Sequence, residues 1–155
     1  MVGVIADTHG LLRPAIVDVF TGVDVIVHAG DVGGAAVLAA LSAVARVEAV
    51  YGNVDDPHDP LLARERRVSI GGLAIHVSHG HELGRPTAEA ALTRYADADV
   101  VVFGHTHRAV VVRDAAGRLA VNPGAAGPRR FDVQPSVARL TIANGSAEVE
   151  IISLR

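Results

Sequence analysis

The sequence predicts an α/β fold in which two β-sheets face each other with helices outside. Three observations predict it. Apolar runs alternate with amphipathic segments through the first half of the chain, the pattern of parallel βαβ units. Paired short runs flanking turn residues follow in the second half and read as hairpins. Polar islands of Asp, Asn, His and Gly stand at the ends of separate runs, where open α/β sheets gather their ligands.

In chain order, Val2–Ala6 reads as a strand and Pro14–Phe20 as a helix with proline in its first turn, where the missing N–H costs nothing. Asp24–His28 is the next strand, Gly34–Val44 a helix and Val47–Tyr51 a third strand, each strand ending beside a polar island. Asp55-Asp56-Pro57-His58-Asp59-Pro60 can be neither helix interior nor central strand, so it is a loop. Arg67–Ile70 and Leu73–Ser78 flank Gly71-Gly72 as a hairpin. Leu73, Ile75 and Val77 then share one face, and Ala74, His76 and Ser78 the other. Thr87–Tyr95 is a helix and Asp99–Phe103 a buried strand. Two more hairpins follow, Ala109–Arg113 with Leu119–Val121 and Ser136–Ala143 with Ala147–Ser153. The expected arrangement is one sheet fed by parallel crossovers and a second built mostly of hairpins.

Composition narrows the function. The chain has 155 residues, the size of one domain, so residues 1–155 are expected to share a single core. Half of the residues are apolar but only 3% are aromatic, so that core is aliphatic. A formal charge of −3 gives no basic footprint for bulk nucleic acid, and the absence of cysteine rules out disulfides and thiolate ligands. All of the cations are arginine, which fits coding bias better than mechanism. The opening apolar run is too short for a signal sequence, and no stretch reaches the ~18 apolar residues of a membrane span. A soluble cytoplasmic protein is the expectation, and the aliphatic excess leaves a homo-oligomer open.

The islands are Asp7-Thr8-His9, Gly30-Asp31, Gly52-Asn53, His79-Gly80-His81 and Gly104-His105-Thr106-His107. Carboxylate, carboxamide and imidazole donors together suit divalent ions of intermediate hardness. The seven donors Asp7, His9, Asp31, Asn53, His79, His105 and His107 are too many for one tetrahedral ion. They divide well between two ions that share a carboxylate and leave positions for water and substrate.

As one ordered pattern, Asp-x-His, Gly-Asp, Gly-Asn, His and Gly-His-x-His closely resemble the signature of the calcineurin-like metallophosphoesterase superfamily. The nearest likeness is to its small prokaryotic phosphodiesterase branch. Ala6-Asp7-Thr8-His9-Gly10, His28-Ala29-Gly30-Asp31, Tyr51-Gly52-Asn53-Val54-Asp55, His79-Gly80-His81 and Val121-Asn122-Pro123-Gly124 carry that likeness along nearly the whole chain. The resemblance implies a four-layer αββα sandwich of two mixed β-sheets flanked by helices. It implies one ion held by Asp7, His9, Asp31 and His107 and a second by Asp31, Asn53, His79 and His105. Manganese is the commonest metal in the family, and the ligand set also admits iron, zinc, nickel or cobalt.

The implied activity is that of a dinuclear metal-dependent phosphoesterase, a phosphodiesterase before a monoesterase. A metal-bridging hydroxide attacks a small or nucleotide-like phosphate ester, with Asp31 and Asn53 as the catalytic residues. Larger members place a histidine directly after the asparagine to protonate the leaving oxygen. Here that residue is Val54, which favours diesters or good leaving groups unless His58 or His81 delivers the proton. Ala125, where serine commonly follows Asn-Pro-Gly, is a second and lesser departure.

Five further residues carry paired readings. His28 either orients a ligand or is a hydrogen-bonded core histidine, and His81 is a proton donor or a structural residue. Arg129, with Arg130, contacts phosphate or belongs to a solvated turn, and Asp55 stiffens its loop or supports Asn53. The alternative function is a non-catalytic metal-site scaffold for protein–protein interaction, since the superfamily includes the small retromer subunit. That subunit has asparagine where this chain has His9. A sensor that binds a phosphorylated ligand without turnover is a third reading.

Overall fold

A computed structural model describes residues 1–155. Five strands, β1 (Val2–Ile5), β2 (Val25–His28), β3 (Arg46–Ala49), β9 (Ser136–Ala143) and β10 (Ser146–Ser153), form one sheet in the order β10-β9-β1-β2-β3. The other sheet has the order β4-β5-β6-β8-β7, from β4 (Glu65–Ile70), β5 (Leu73–Ser78), β6 (Val100–Val102), β7 (Ala109–Arg113) and β8 (Leu119–Pro123). Helices α1 (Pro14–Val19) and α2 (Ala35–Ser42) cover the first sheet and α3 (Ala88–Arg94) the second. This is the αββα sandwich, with both sheets mixed.

Side-chain alternation builds the layers. On β1, Val2 and Val4 point between the sheets, where they meet Val25, Val27, Ile75, Val77, Val100, Val102, Val121 and Leu140. Ile5 points the other way, into a second core with Ile16, Phe20, Ile26, Leu41 and Val137 beneath α1 and α2. Both faces of the central strands are therefore buried, which is why they read as unbroken apolar runs. A third, smaller core of Ala91, Leu92, Val101, Phe103 and Ala120 lies under α3. That helix is capped by Thr87, whose hydroxyl accepts from the Ala90 N–H at 3.1 Å.

Two features differ from the sequence reading. The last hairpin joins the first sheet, with β9 antiparallel to β1, so that sheet is not built by crossovers alone. The second sheet has a parallel centre, because β6 pairs in parallel with both β5 and β8. Long-range burial decides both: Val137, Ala138 and Leu140 on β9 serve two cores, and the short run Val100–Val102 is apolar on both faces. Hairpin pairing is local, but the neighbour on the other side is chosen by tertiary packing. On β5 both faces are buried toward its end, His76 and Ser78 included.

Candidate metal centre

The chain leaves β1, β2, β5 and β6 along one edge of the sandwich, and the islands meet there. Asp7, His9, Asp31, His105 and His107 all have positive φ, between 46° and 71°, in a molecule with only two other non-glycine residues in that region. Left-handed backbone costs an L-residue roughly 1–2 kcal/mol. Concentrating it on five island residues turns their side chains inward at the strand tips, as strain gathered at functional sites does. Hydrogen bonds between islands hold the geometry: His9 N–H donates to the Asp31 carbonyl (2.9 Å), Asp7 N–H to Gly30 (3.0 Å), and Gly104 N–H to His79 (3.1 Å).

Two clusters result. Asp7, His9 and His107 bring one donor atom each within 4.8 Å of one another, as do Asp31, His79 and His105. In the first, His107 Nε2 is 3.2 Å from Asp7 Oδ1 and 3.4 Å from His9 Nε2. In the second, Asn53 Oδ1 lies 3.0 Å from both His79 Nε2 and His105 Nδ1. Asp31 stands between them, its Oδ2 3.3 Å from His79 Nε2 and 3.8 Å from His9 Nε2. All seven donors named from the sequence therefore converge.

The donors are poised for a cation. Asp7 is wholly buried and its Oδ1 has no hydrogen-bond partner, an arrangement that costs a charged group several kcal/mol unless a positive ion meets it. Its Oδ2 accepts from the His105 N–H at 3.1 Å, so the carboxylate is fixed. His79 gives its Nδ1 proton to the Ala29 carbonyl at 2.7 Å, which leaves the Nε2 lone pair facing the cluster. These residues fit divalent metal.

Electrostatics follow from burial and proximity. Burial pushes Asp31 upward, but its contact with His79, the Val54 N–H and the charge of His9 prevail and hold it down to about 2. Burial lowers His9, His81 and His105 below the usual histidine range. It also pulls on His79, yet Asp31 and Asp7 outweigh it and raise that residue.

Surrounding residues tie the loops together. His28 is wholly buried and, for that reason, lowered to about 4. Its Nδ1 accepts from the Gly30 N–H (3.2 Å), so Nε2 carries the proton and donates to Thr8 Oγ1 (2.9 Å). Thr8 in turn donates to the Val32 carbonyl at 2.7 Å. His28 is thus both a core histidine and the link between the Asp7 and Asp31 loops. The Asp55 carboxylate accepts from the N–H groups of Val32, Gly33 and Gly52, joining the Asp31 loop to the Asn53 loop. His81 opens a single 3₁₀ turn, His81–Leu83, with its ring centre 5.4 Å from that of His79. Arg129 and Arg130 are exposed on the rim beside His107, and His58 is exposed in its turn.

The sequence reading gave no role to Thr8 or to the Asn122 side chain. Asn122 donates to the Gly104 carbonyl and to Thr106, both at 3.0 Å, and accepts from Gly124, bracing the histidine loop from below. The Asn-Pro-Gly motif was the available signal.

Residues 1–145 match the family model described as the calcineurin-like phosphoesterase superfamily domain. A protein of Methanothermobacter thermautotrophicus named a probable metallophosphoesterase is 33% identical over 162 residues, covering 98% of this chain and 91% of its own length. Among solved structures, Chaetomium thermophilum Vps29 superposes with a TM-score of 0.80 at 19% identity, over 99% of this chain and 96% of that one. Entamoeba histolytica Vps29 complexed with zinc gives 0.77 at 24% identity, over 98% of each chain. At those identities the Vps29 likeness speaks for the fold alone. Family model and archaeal relative agree with the convergence of the islands: the chain is a member of the calcineurin-like phosphoesterase superfamily.

Proposed function

We propose that this protein is a dinuclear metal-dependent phosphoesterase that acts on phosphodiesters of small or nucleotide-like alcohols. The observation that carries the proposal is the position of Asp31, one carboxylate facing an imidazole of each cluster. Asp7, His9, Asp31 and His107 would hold one divalent ion, and Asp31, Asn53, His79 and His105 the other. Manganese is our first choice, with iron, zinc, nickel and cobalt compatible. Two such ions, when bound, supply acidity to water and positive charge to phosphoryl oxygens.

The chain's own groups do the rest. Asn53 is exposed at the mouth of the site, and with Oδ1 turned to the histidines its amide N–H₂ is left to donate to a phosphoryl oxygen. Arg130 stands close enough to His9 for its charge to be felt there, so the rim attracts an anionic ester. Val54, 59% exposed beside Asn53, can deliver no proton to a leaving oxygen, which supports diesters and good leaving groups over alkyl monoesters. The scaffold reading draws on the Vps29 fold, but this chain keeps His9 and with it the full donor set.

The test is to strip the protein of metal, reload it with manganese, and offer an activated aryl phosphodiester and the matching monoester. We expect metal-dependent hydrolysis, faster on the diester, and a loss of at least about 10³-fold in Asp31→Ala. A fully metallated protein that hydrolyses neither ester faster than Asp31→Ala would overturn the proposal.

A further inference from the structure

Six buried side-chain polar atoms have no hydrogen-bond partner, and they are not scattered. Asp7 Oδ1 belongs to the metal centre. The Nε atoms of Arg13 and Arg139 are spare donors of guanidinium groups that already bond through another nitrogen. The other three are His76 Nε2, Ser78 Oγ and His81 Nδ1, all on β5 and the loop that follows it. Ser78 and His81 line a cavity of about 220 Å³ between β4, α3 and the His79–His81 loop, whereas His76 stacks on the Tyr95 ring outside that lining, its Nε2 3.9 Å from Glu65. Ser78 is 5% exposed. A buried donor or acceptor left unpaired costs about 1–3 kcal/mol, so the two in this wall, Ser78 Oγ and His81 Nδ1, point to a ligand that pairs them.

We infer that this cavity is a second subsite, which seats one alcohol half of the ester, a neutral hydroxyl-rich group of glycerol or ribose size. The inference rests on the phosphoesterase reading for what that alcohol is attached to. His79 supplies the connection, because it lines the cavity while its Nε2 faces Asp31 at 3.3 Å. A diester with phosphorus at the centre reaches the cavity past the His81 ring.

The lining selects the chemistry. Arg94 lies 5.5 Å over the Tyr95 ring and forms no ion pair, so it is a free donor in the wall. Arg64 is occupied by Glu82 at 2.6 Å. Glu65 accepts the Tyr95 hydroxyl proton at 3.0 Å and keeps lone pairs for another donor. Ser78 Oγ adjoins the Tyr95 oxygen without hydrogen-bond geometry. A bare anion would meet Glu65 and Glu82 as well as Arg94, and an apolar group would leave every polar atom unpaired. Hydroxyl groups, each donor and acceptor at once, satisfy both kinds of partner.

Calorimetric titration of the metal-loaded protein with ribose 5-phosphate and with inorganic phosphate tests this. Ribose 5-phosphate is expected to bind about tenfold more tightly, and that ratio is expected to fall below about threefold in Ser78→Ala and in Arg94→Met, the latter an exposed change that leaves the core intact. A wild-type ratio near one, or a ratio unchanged in both variants, would overturn the subsite. In parallel, the kcat/KM ratio of an aryl glyceryl diester to an aryl methyl diester should fall about tenfold in the same variants. Loss of all hydrolysis with the binding ratio intact rejects the phosphoesterase reading and keeps the subsite. Hydrolysis with no binding preference rejects the subsite alone.

Discussion

Gly52→Ala is a one-carbon test of the shared carboxylate. A Cβ on Gly52 would stand 2.0 Å from Asp31 Oδ1 and 2.4 Å from the Asp31 backbone nitrogen, where real Cβ atoms keep at least 3.0 Å. Gly52 does not have positive φ, so the added methyl acts by contact rather than by backbone strain. Asp31 cannot yield easily, since its Oδ1 accepts from the Val54 N–H at 3.1 Å and its Oδ2 faces His79. The carboxylate must therefore move by about 1 Å, a displacement that costs an assembled site roughly 10²-fold in turnover. Overpacking adds about 1–3 kcal/mol of destabilisation. We expect elemental analysis of manganese-saturated Gly52→Ala to show fewer than two ions per chain, with diester turnover down about 100-fold and far-UV circular dichroism unchanged. Gly104→Ala is the graded control, because its Cβ would meet Asp7 Oδ2 at 2.9 Å, and its loss should be smaller. Two tightly held ions and turnover within about threefold of wild type in Gly52→Ala would refute the reasoning.

Three other outcomes follow from the same geometry. Asp55→Ala removes the acceptor of three backbone N–H groups from two loops and should lower urea-measured stability by about 2–4 kcal/mol, with Asp55→Asn intermediate. His28 binds its proton more weakly folded (about 4) than unfolded (6.5), so the unfolded state gains a proton between those values and stability falls as pH drops through them. That share amounts to roughly 3 kcal/mol at the acid end. His9, His76, His81 and His105 are lowered too and act with the same sign, whereas His79 is raised and opposes them. Metal-free His28→Gln should accordingly show a shallower loss of stability from pH 6.5 to 4, and an unchanged slope would contradict the assignment. Asn53→Asp keeps an oxygen ligand and removes the amide donor: both ions should remain while turnover falls about 10²-fold, and unchanged turnover would exclude the donor role.

The donors were legible in the sequence because each sits at the tip of an apolar run and repeats a spacing the chemistry requires. Gly71-Gly72 was legible as a turn for a local reason, and both glycines have positive φ, at 57° and 82°. The place of β9 beside β1 was not, since the choice of neighbouring strand depends on which apolar faces remain to be covered once both sheets form. Nor could the sequence show that Asp55 reaches Val32 and Gly33, more than twenty residues away, or that His28 bonds Thr8. Acids in turns and histidines in strands have common local explanations, and only the fold reveals the distant partner. The cavity beside His79 was invisible for the same reason, its walls coming from three separated segments.

The most direct test of the central claim is anomalous scattering from crystals grown with saturating manganese. The account predicts two peaks per chain, one among Asp7, His9 and His107 and one among Asn53, His79 and His105, both adjoining the Asp31 carboxylate. A single peak, none, or a second ion out of reach of Asp31 would contradict it.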